Sequence, residues 1–219
     1  MTTVRDLNVA IRTRHLLKHP FYQAWAEGNV TREDLLSYAG QYHHFESNFP
    51  RYVAGTYARL EQARDRRVLL ENLIDEEGRS PTHPELWHDF ARSLGATWKM
   101  HSPPPARPAT RELCQTYEDL TLGPGTASAA LGALYAYEAQ FPKVAEEKSR
   151  GLRTWYGIRS KAAHEFFRVH SAADLAHSRA ERRLLAHQLA QSPAAGPPAR
   201  MAVNRTLEAW WGFLSSFGY

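Results

Sequence analysis

Apolar side chains recur at the three- and four-residue spacing of a helix from one end of this chain to the other. Stretches in which β-branched residues alternate with polar ones, which are typical of a half-buried strand, are nearly absent. A chain with the first pattern and without the second must build its core from packed helices. The sequence therefore predicts an all-α fold.

Two proline-rich connectors interrupt the helical pattern. They are HSPPPARP at 101–108 and SPAAGPPAR at 192–200, and proline keeps both out of helix interiors. Neither connector leaves flanking pieces that could each bury a core, so we expect one helical domain over residues 1–219. The predicted helices cover residues 4–17, 31–61, 64–77, 84–95, 109–120, 125–148, 151–169, 171–191 and 200–216.

Charge and cysteine content narrow the classes of function. The 27 basic and 23 acidic residues are spread along the chain, without the basic and aromatic clusters of a nucleic-acid surface. Cys114 is the single cysteine, so it forms neither an intramolecular disulfide nor a cysteine-based zinc site. The N-terminus has no signal-peptide core, and no apolar run is long enough to span a bilayer. We expect a cytoplasmic protein that binds neither nucleic acid nor membranes.

The octet HSAADLAH at 170–177 places three metal-binding residue types on one helix face. His170, Asp174 and His177 stand at positions i, i+4 and i+7, within about 60° of one another around a helix. Taken alone, the octet is compatible with a solvated polar stripe and with half of a metal site.

A carboxylate interrupts an apolar stripe in the segment 125–148. Glu138 lies in register with apolar residues such as Leu134 and Phe141, and burying its charge is costly unless something compensates it. The compensation could be a buried arginine or tyrosine, or a metal ion. Pro142, four residues later, predicts a kink near this carboxylate.

A third element lies in NLIDEEGRSPTHPELW. Glu76 stands at the end of one predicted helix, and His83 stands at the start of the next, before Pro84. The two side chains could converge across the helix break. The alternatives are a solvated glutamate and a histidine that serves as a polar helix cap.

Together these elements supply three carboxylates and three imidazoles: Glu76, His83, Glu138, His170, Asp174 and His177. This oxygen and nitrogen set suits iron or manganese better than zinc or copper(I), which favour thiolates. A ferritin-like di-iron bundle is a rival interpretation because ELWH at 85–88 is a Glu-x-x-His motif, but that fold uses two such motifs and a second is missing.

The three elements occur in the order of a known ligand pattern: Glu-x6-His, a lone Glu on a middle helix, and His-x3-Asp/Glu-x2-His on a later one. The chain resembles the haem-oxygenase-like dimetal oxidases, which share a helical fold with the TenA and PqqC proteins. Within that family it is most similar to the CADD-like branch of chlamydial and other bacterial proteins. The stretches that carry the likeness are HPFYQAW, NLIDEEGRSPTHPELW, ALYAYEAQFPKVAEEKSRGL and HSAADLAHSRAE.

The resemblance implies an enzyme that makes para-aminobenzoate for folate synthesis from one of its own tyrosine side chains, once per chain. Matched by position, the consumed tyrosine is Tyr22, and Lys148 supplies the amino group. Tyr38 and Tyr137 match further tyrosines, which are candidates for radical transfer or for a second consumed ring. The resemblance also implies two metal ions, as an iron pair or as iron with manganese, together with dioxygen and an external reductant.

One position departs from that branch, and two other functions stay open. Phe166 stands where the chlamydial protein has a tyrosine, four residues before the first histidine of the last motif. A family member could instead oxidise a diffusible amine, amino acid or fatty acid, and Tyr22 would then be dispensable. A protein-interaction or regulatory module would need neither Glu138 nor His170. We expect the protein to be a homodimer.

Overall fold

The computed structural model describes residues 2–219, and these form eleven α-helices with a single 3₁₀ turn before α2 and another before α11. Within this range the only β-type pairing is an isolated bridge between Lys99 and Ser102, so the predicted all-α fold is confirmed. The helices are α1 (Val4–Thr13), α2 (Pro20–Glu27), α3 (Arg32–Glu46), α4 (Phe49–Ala58), α5 (Ala63–Glu77), α6 (His83–Ser93), α7 (Pro108–Thr121), α8 (Ala127–Glu138), α9 (Phe141–Thr154), α10 (Lys161–Gln191) and α11 (Gly196–Ser215).

The helices pack around α10, which is 31 residues long. Helices α6, α8 and α9 lie against α10, while α11 covers α8 and α7. The larger apolar core is rich in aromatic rings from α2, α3, α6 and α11, and a smaller aliphatic core joins α1 to the far ends of α8, α10 and α11. None of the helices in residues 2–219 is long and apolar enough to cross a membrane.

Two predicted helices are each divided in two at a proline. The helix predicted over 31–61 ends at Glu46, and α4 begins at Phe49 with Pro50 in its first turn. The helix predicted over 125–148 ends at Glu138, and α9 begins at Phe141 with Pro142 in its first turn. Proline lacks the N–H that would continue the preceding helix but suits a first turn. The kink expected near Glu138 is therefore a complete break.

Two predicted helices are joined where the sequence suggested a boundary. The segments 151–169 and 171–191 were expected to be separate, but α9 extends to Thr154 and α10 runs from Lys161 to Gln191 without interruption. No glycine or proline occurs between these two ends of α10, so nothing in the chain stops the helix at 170.

Two other boundaries also differ from the prediction. The helix expected over 4–17 ends at Thr13, and α2, which was not predicted, follows with Pro20 in its first turn. The connector predicted at 192–200 is shorter than expected because α11 begins at Gly196, with its prolines in the first turn. Proline is excluded from helix interiors but suits a first turn, and the prediction did not treat Pro20, Pro197 and Pro198 as signs of a helix start.

A close helix crossing fixes the position of Lys148. A side chain at Gly151 of α9 would place its Cβ 2.6 Å from the Trp25 ring of α2, so only glycine permits this approach. The Trp25 indole then donates a hydrogen bond to the Lys148 carbonyl at 3.2 Å. This contact holds the middle of α9 against α2 and the aromatic core.

Candidate metal centre and tyrosine cage

Glu76 and His83 converge as their spacing predicted. Glu76 lies in the last turn of α5, and His83 is the first residue of α6. Thr82 fixes this start, because its side chain and that of Glu85 form a reciprocal capping box. The side chains of Glu76 and His83 are both buried, and His83 Nδ1 lies 2.9 Å from Glu76 Oε2.

The histidines of the octet face inward from α10. His170 Nδ1 donates to the Phe166 carbonyl at 2.9 Å, its Nε2 lies 3.7 Å from a carboxylate oxygen of Glu46, and its ring centre lies 4.1 Å from that of His83. His177 lies 3.1 Å through Nε2 from a carboxylate oxygen of Asp75, and its Nδ1 is buried without a hydrogen-bond partner in residues 2–219. Each imidazole therefore keeps one nitrogen available to bind a metal ion, while a neighbouring group holds the other nitrogen and fixes the orientation of the ring.

Glu138 lies at the end of α8 and is fully buried. The Asn72 amide of α5 donates to its Oε1 at 3.0 Å, and His177 Nδ1 lies 3.9 Å from the same oxygen. Its other oxygen has no partner within residues 2–219. Within residues 2–219 no arginine forms a salt bridge with this carboxylate, so the buried-arginine alternative considered from the sequence is wrong.

The donor atoms form two groups that share one carboxylate. Atoms of Glu46, Glu76, His83 and His170 lie within 4.8 Å of one another, and so do atoms of Glu76, Glu138 and His177. Glu46, at the end of α3, was missed by the sequence reasoning because it belongs to no short motif. A signal was present, since Tyr38, Tyr42 and Glu46 stand four residues apart along one face of α3.

Two further carboxylates of α10 border these groups. Asp174 is buried, and one of its oxygens lies 3.9 Å from His177 Nδ1, although it belongs to neither of the two donor groups. Glu181 continues the His170, Asp174, His177 face by one more turn and is fully buried. It was not predicted, although the same helical spacing marks it. We call these eight residues the carboxylate and imidazole cluster; they are Glu46, Glu76, His83, Glu138, His170, Asp174, His177 and Glu181.

The electrostatics of this cluster fit bound cations. Burial raises the pKa of Glu46 to about 8, and the Glu76 charge adds to that rise. Burial and neighbouring carboxylates hold the pKa of Asp174 and of Glu181 well above their usual range, while burial lowers the pKa of His170. Carboxylate oxygens of Glu46, Glu76, Glu138, Asp174 and Glu181 are buried without hydrogen-bond partners in the described residues. So many unpaired buried carboxylates are costly alone, whereas hard divalent cations satisfy them.

Lys148 is enclosed by aromatic rings beside this cluster. It is fully buried, and its Nζ has no hydrogen-bond partner in residues 2–219, although a lysine is ordinarily exposed. Burial holds the pKa of the amine well below its usual range. Six ring centres lie 4.6–5.8 Å from Nζ, and we call them the tyrosine cage: Tyr22, Tyr38, Tyr42, Trp87, Phe141 and Phe167.

Hydrogen bonds join the tyrosines in pairs. The Tyr22 and Tyr38 hydroxyls lie 2.8 Å apart, and the Tyr42 hydroxyl is hydrogen-bonded to that of Tyr137. Burial raises the pKa of every one of these phenols. Tyr42 was not predicted, yet its ring is nearest to Lys148 Nζ, at 4.6 Å.

The cage adjoins the cluster through phenylalanine. The Phe141 ring lies 5.0 Å from Lys148 Nζ and 5.5 Å from the His170 ring. Phe166, which stands where the chlamydial protein was expected to have a tyrosine, has its ring centre 3.9 Å from that of His170. The amine, the phenols and the candidate ligands thus occupy one buried region.

Comparison with known proteins identifies the family. Residues 36–211 match the profile of a haem-oxygenase-like family described as iron-containing redox enzymes. The chain belongs to this family. Two of its relatives are named 4-aminobenzoate synthase. That of Chlamydia pneumoniae is 37% identical over 212 residues, which cover 96% of this chain and 92% of the relative. That of Nitrosomonas europaea is 37% identical over 222 residues, covering 97% and 89%.

Solved structures share the fold of this chain. A TenA homologue from Pseudomonas syringae superposes with a TM-score of 0.81 at 17% identity, covering 98% of this chain and 90% of that one. A CADD-like protein of unknown function from Nostoc punctiforme gives 0.73 at 18% identity, covering 97% of each chain. The predicted family and its helical fold are therefore confirmed, and the chain is an oxidative enzyme whose buried histidines and glutamates are compatible with a metal site.

Proposed function

We propose that this enzyme is a 4-aminobenzoate synthase that consumes one of its own tyrosine side chains, with dioxygen as the oxidant and Lys148 as the source of nitrogen. The relatives named for that activity are similar to nearly the whole chain. The observation that carries the proposal is the enclosure of a buried, unpartnered lysine amine among three tyrosine rings, next to the carboxylate and imidazole cluster.

Two metal ions would be held by Glu46, Glu76, His83 and His170 on one side and by Glu76, Glu138 and His177 on the other, with Asp174 adjacent to the second group. Iron, alone or with manganese, suits these donors. When bound, these ions supply the redox chemistry that activates dioxygen.

The product identifies the bond that must break. 4-Aminobenzoate has a single carbon outside its ring, which corresponds to Cβ of the consumed tyrosine. The Cα–Cβ bond therefore breaks and Cα takes a hydrogen. Cβ is oxidised to the carboxylate carbon. Dioxygen accepts the electrons that Cβ loses, and it supplies the two additional oxygen atoms that the products contain. At the far end of the ring, the nitrogen of Lys148 replaces the phenolic oxygen. If a hydroxyl then replaces nitrogen on the lysine Cε, one dioxygen balances the atoms and the electrons.

The surrounding residues prepare both partners of this reaction. Because burial lowers the pKa of Lys148, its nitrogen keeps the lone pair that bond formation requires. The hydrogen bond between Tyr22 and Tyr38 gives the Tyr22 phenol a neighbour to which its proton can move. The aromatic cage excludes water, which would otherwise compete for an oxidised ring.

We assign Tyr22 as the consumed residue and Tyr38 and Tyr137 as residues of electron transfer. Chains supplied with iron, manganese, a reductant and dioxygen should release no more than about one 4-aminobenzoate each, since each chain has one such tyrosine. Tyr22→Phe should abolish release, whereas Tyr57→Phe, which changes a tyrosine outside the cage, should not. Release that continues over many turnovers from an added amine would refute self-consumption.

A further inference from the structure

A large groove runs over the surface between α9 and the first half of α10. It encloses about 930 Å³, and its floor includes Ser149, His164 and Phe167. The Ser149 hydroxyl lies 2.8 Å from His164 Nδ1, and His164 Nε2 lies 2.9 Å from the Ile158 carbonyl. These two contacts fix the His164 ring, so the floor is an ordered polar and aromatic surface.

The rim of this groove carries a strong excess of positive charge. Its basic residues are Arg150, Arg153, Arg159, Lys161 and Arg168, and its acidic residues are Glu146 and Glu165. These five basic and two acidic residues leave an excess of three positive charges around the groove.

Three of these five basic side chains form no salt bridge within residues 2–219. Arg150 pairs with Glu147, and Arg168 pairs with Glu165. In contrast, Arg153, Arg159 and Lys161 are exposed, and no salt bridge joins them to another side chain in residues 2–219. Three unpaired cations around a groove attract an anion.

One ring of the tyrosine cage also lines the groove. Phe167 lines the groove, and its ring centre lies 5.8 Å from Lys148 Nζ. Ala145, one turn before Lys148 on α9, lines the same floor. A small molecule formed beside Lys148 therefore has this groove directly on the other side of Phe167.

We propose that the groove binds the carboxylate of an aromatic acid and, if the proposed function holds, receives 4-aminobenzoate as it leaves the cage. The three unpaired basic side chains would bind the carboxylate, and guanidinium groups suit it well because they donate paired hydrogen bonds. The Phe167 ring on the floor would contact the aromatic ring. A neutral molecule of the same shape would lose the charge attraction and keep only the aromatic contact.

Ligand-observed NMR with 4-aminobenzoate on the metal-free protein tests this site without requiring turnover. The protein should bind 4-aminobenzoate at low salt and lose affinity at high salt, because screening weakens attraction between exposed charges. The neutral amide, 4-aminobenzamide, should bind about tenfold more weakly. Absence of 4-aminobenzoate binding, or equal binding of the amide, would overturn the proposal.

Charge-reversal variants locate the binding. Replacing Arg153, Arg159 and Lys161 together by glutamate should weaken binding about tenfold or more. The matched control reverses Arg179, Arg182 and Arg183, which are exposed on α10 and do not line the groove, and should leave the affinity unchanged. Circular dichroism establishes that both variants fold. Equal affinities of the two variants would refute the assignment to this groove.

The two proposals fail in different experiments. Because the binding assay uses metal-free protein and added 4-aminobenzoate, loss of binding there refutes the groove alone. Failure of the metal-loaded protein to release any 4-aminobenzoate refutes the proposed function, whatever the groove binds.

Discussion

Replacement of Lys148 by methionine should make the metal-free protein more stable, by an amount that decreases as the pH rises. Lys148 is fully buried, and its amine has no hydrogen-bond partner in residues 2–219. Leaving a buried polar group unpartnered costs about 1–3 kcal/mol, and methionine fills a similar volume without that group.

Proton linkage sets the pH dependence. Burial lowers the pKa of Lys148 in the folded protein well below the ordinary value of 10.5, which applies to the unfolded chain. Between those two pKa values the unfolded chain binds a proton that the folded protein does not. The free energy of unfolding of the wild type therefore rises with pH in this range, by about 1.4 kcal/mol per pH unit. The methionine variant lacks this contribution, so its stability advantage should decrease by the same amount.

Urea unfolding of both proteins at several pH values between neutrality and pH 10, with a chelator present, measures the difference directly. Lys143→Met, which changes an exposed lysine of the same helix, controls for the removal of a lysine as such. A difference between wild type and Lys148→Met that stays constant with pH would show that the amine keeps its proton when folded. It could not then act as the nucleophile that the proposed function requires.

Other substitutions test the cluster and the helix packing. Burial raises the pKa of Glu46 to about 8, so the contribution of its protonated carboxyl to the stability of the metal-free protein is complete below the ordinary value of 4.5 and is lost as the pH rises through about 8. In urea unfolding, the free energy of unfolding of the wild type should therefore fall by about 1.4 kcal/mol per pH unit relative to that of Glu46→Gln across that range. Asp75→Asn should lower metal affinity by about 10- to 100-fold, because Asp75 orients His177 through a 3.1 Å contact. Competition with a chromophoric chelator measures this affinity, and Glu77→Gln, which changes an exposed residue, is the control. An unchanged affinity of Asp75→Asn would contradict the orienting role. Gly151→Ala should lower the free energy of unfolding by about 1–3 kcal/mol, since its Cβ would lie 2.6 Å from the Trp25 ring, and wild-type stability would contradict the close crossing.

The helical fold was predictable because helix periodicity is local, whereas the helix boundaries depended on how each proline was interpreted. Pro50 and Pro142 mark the starts of α4 and α9, but in the sequence they stand inside continuous apolar patterns and were placed within longer helices. The expected boundary near His170 had no breaker residue to support it, and α10 continues through it.

The candidate site was predictable as far as short motifs reach. His170 and His177 share one face of a single helix, and Glu76 and His83 flank the break between two consecutive helices. The structure brings both pairs into one buried region. Glu46 joins them through tertiary packing, with α3 against α6, and the spacing along α3 does not by itself show which helix its polar face will meet. The burial of Lys148 was equally hidden, because a lysine at that position of a helix is ordinarily exposed.

Intact-protein mass spectrometry before and after exposure to metal, reductant and dioxygen determines whether the chain consumes its own tyrosine. The chain should lose the mass of a tyrosine side chain in proportion to the 4-aminobenzoate released, and peptide mapping should place a glycine at position 22 and a modified side chain at Lys148. Release of 4-aminobenzoate from a chain of unchanged mass would contradict self-consumption, and loss of a tyrosine side chain at another position would contradict the assignment of Tyr22.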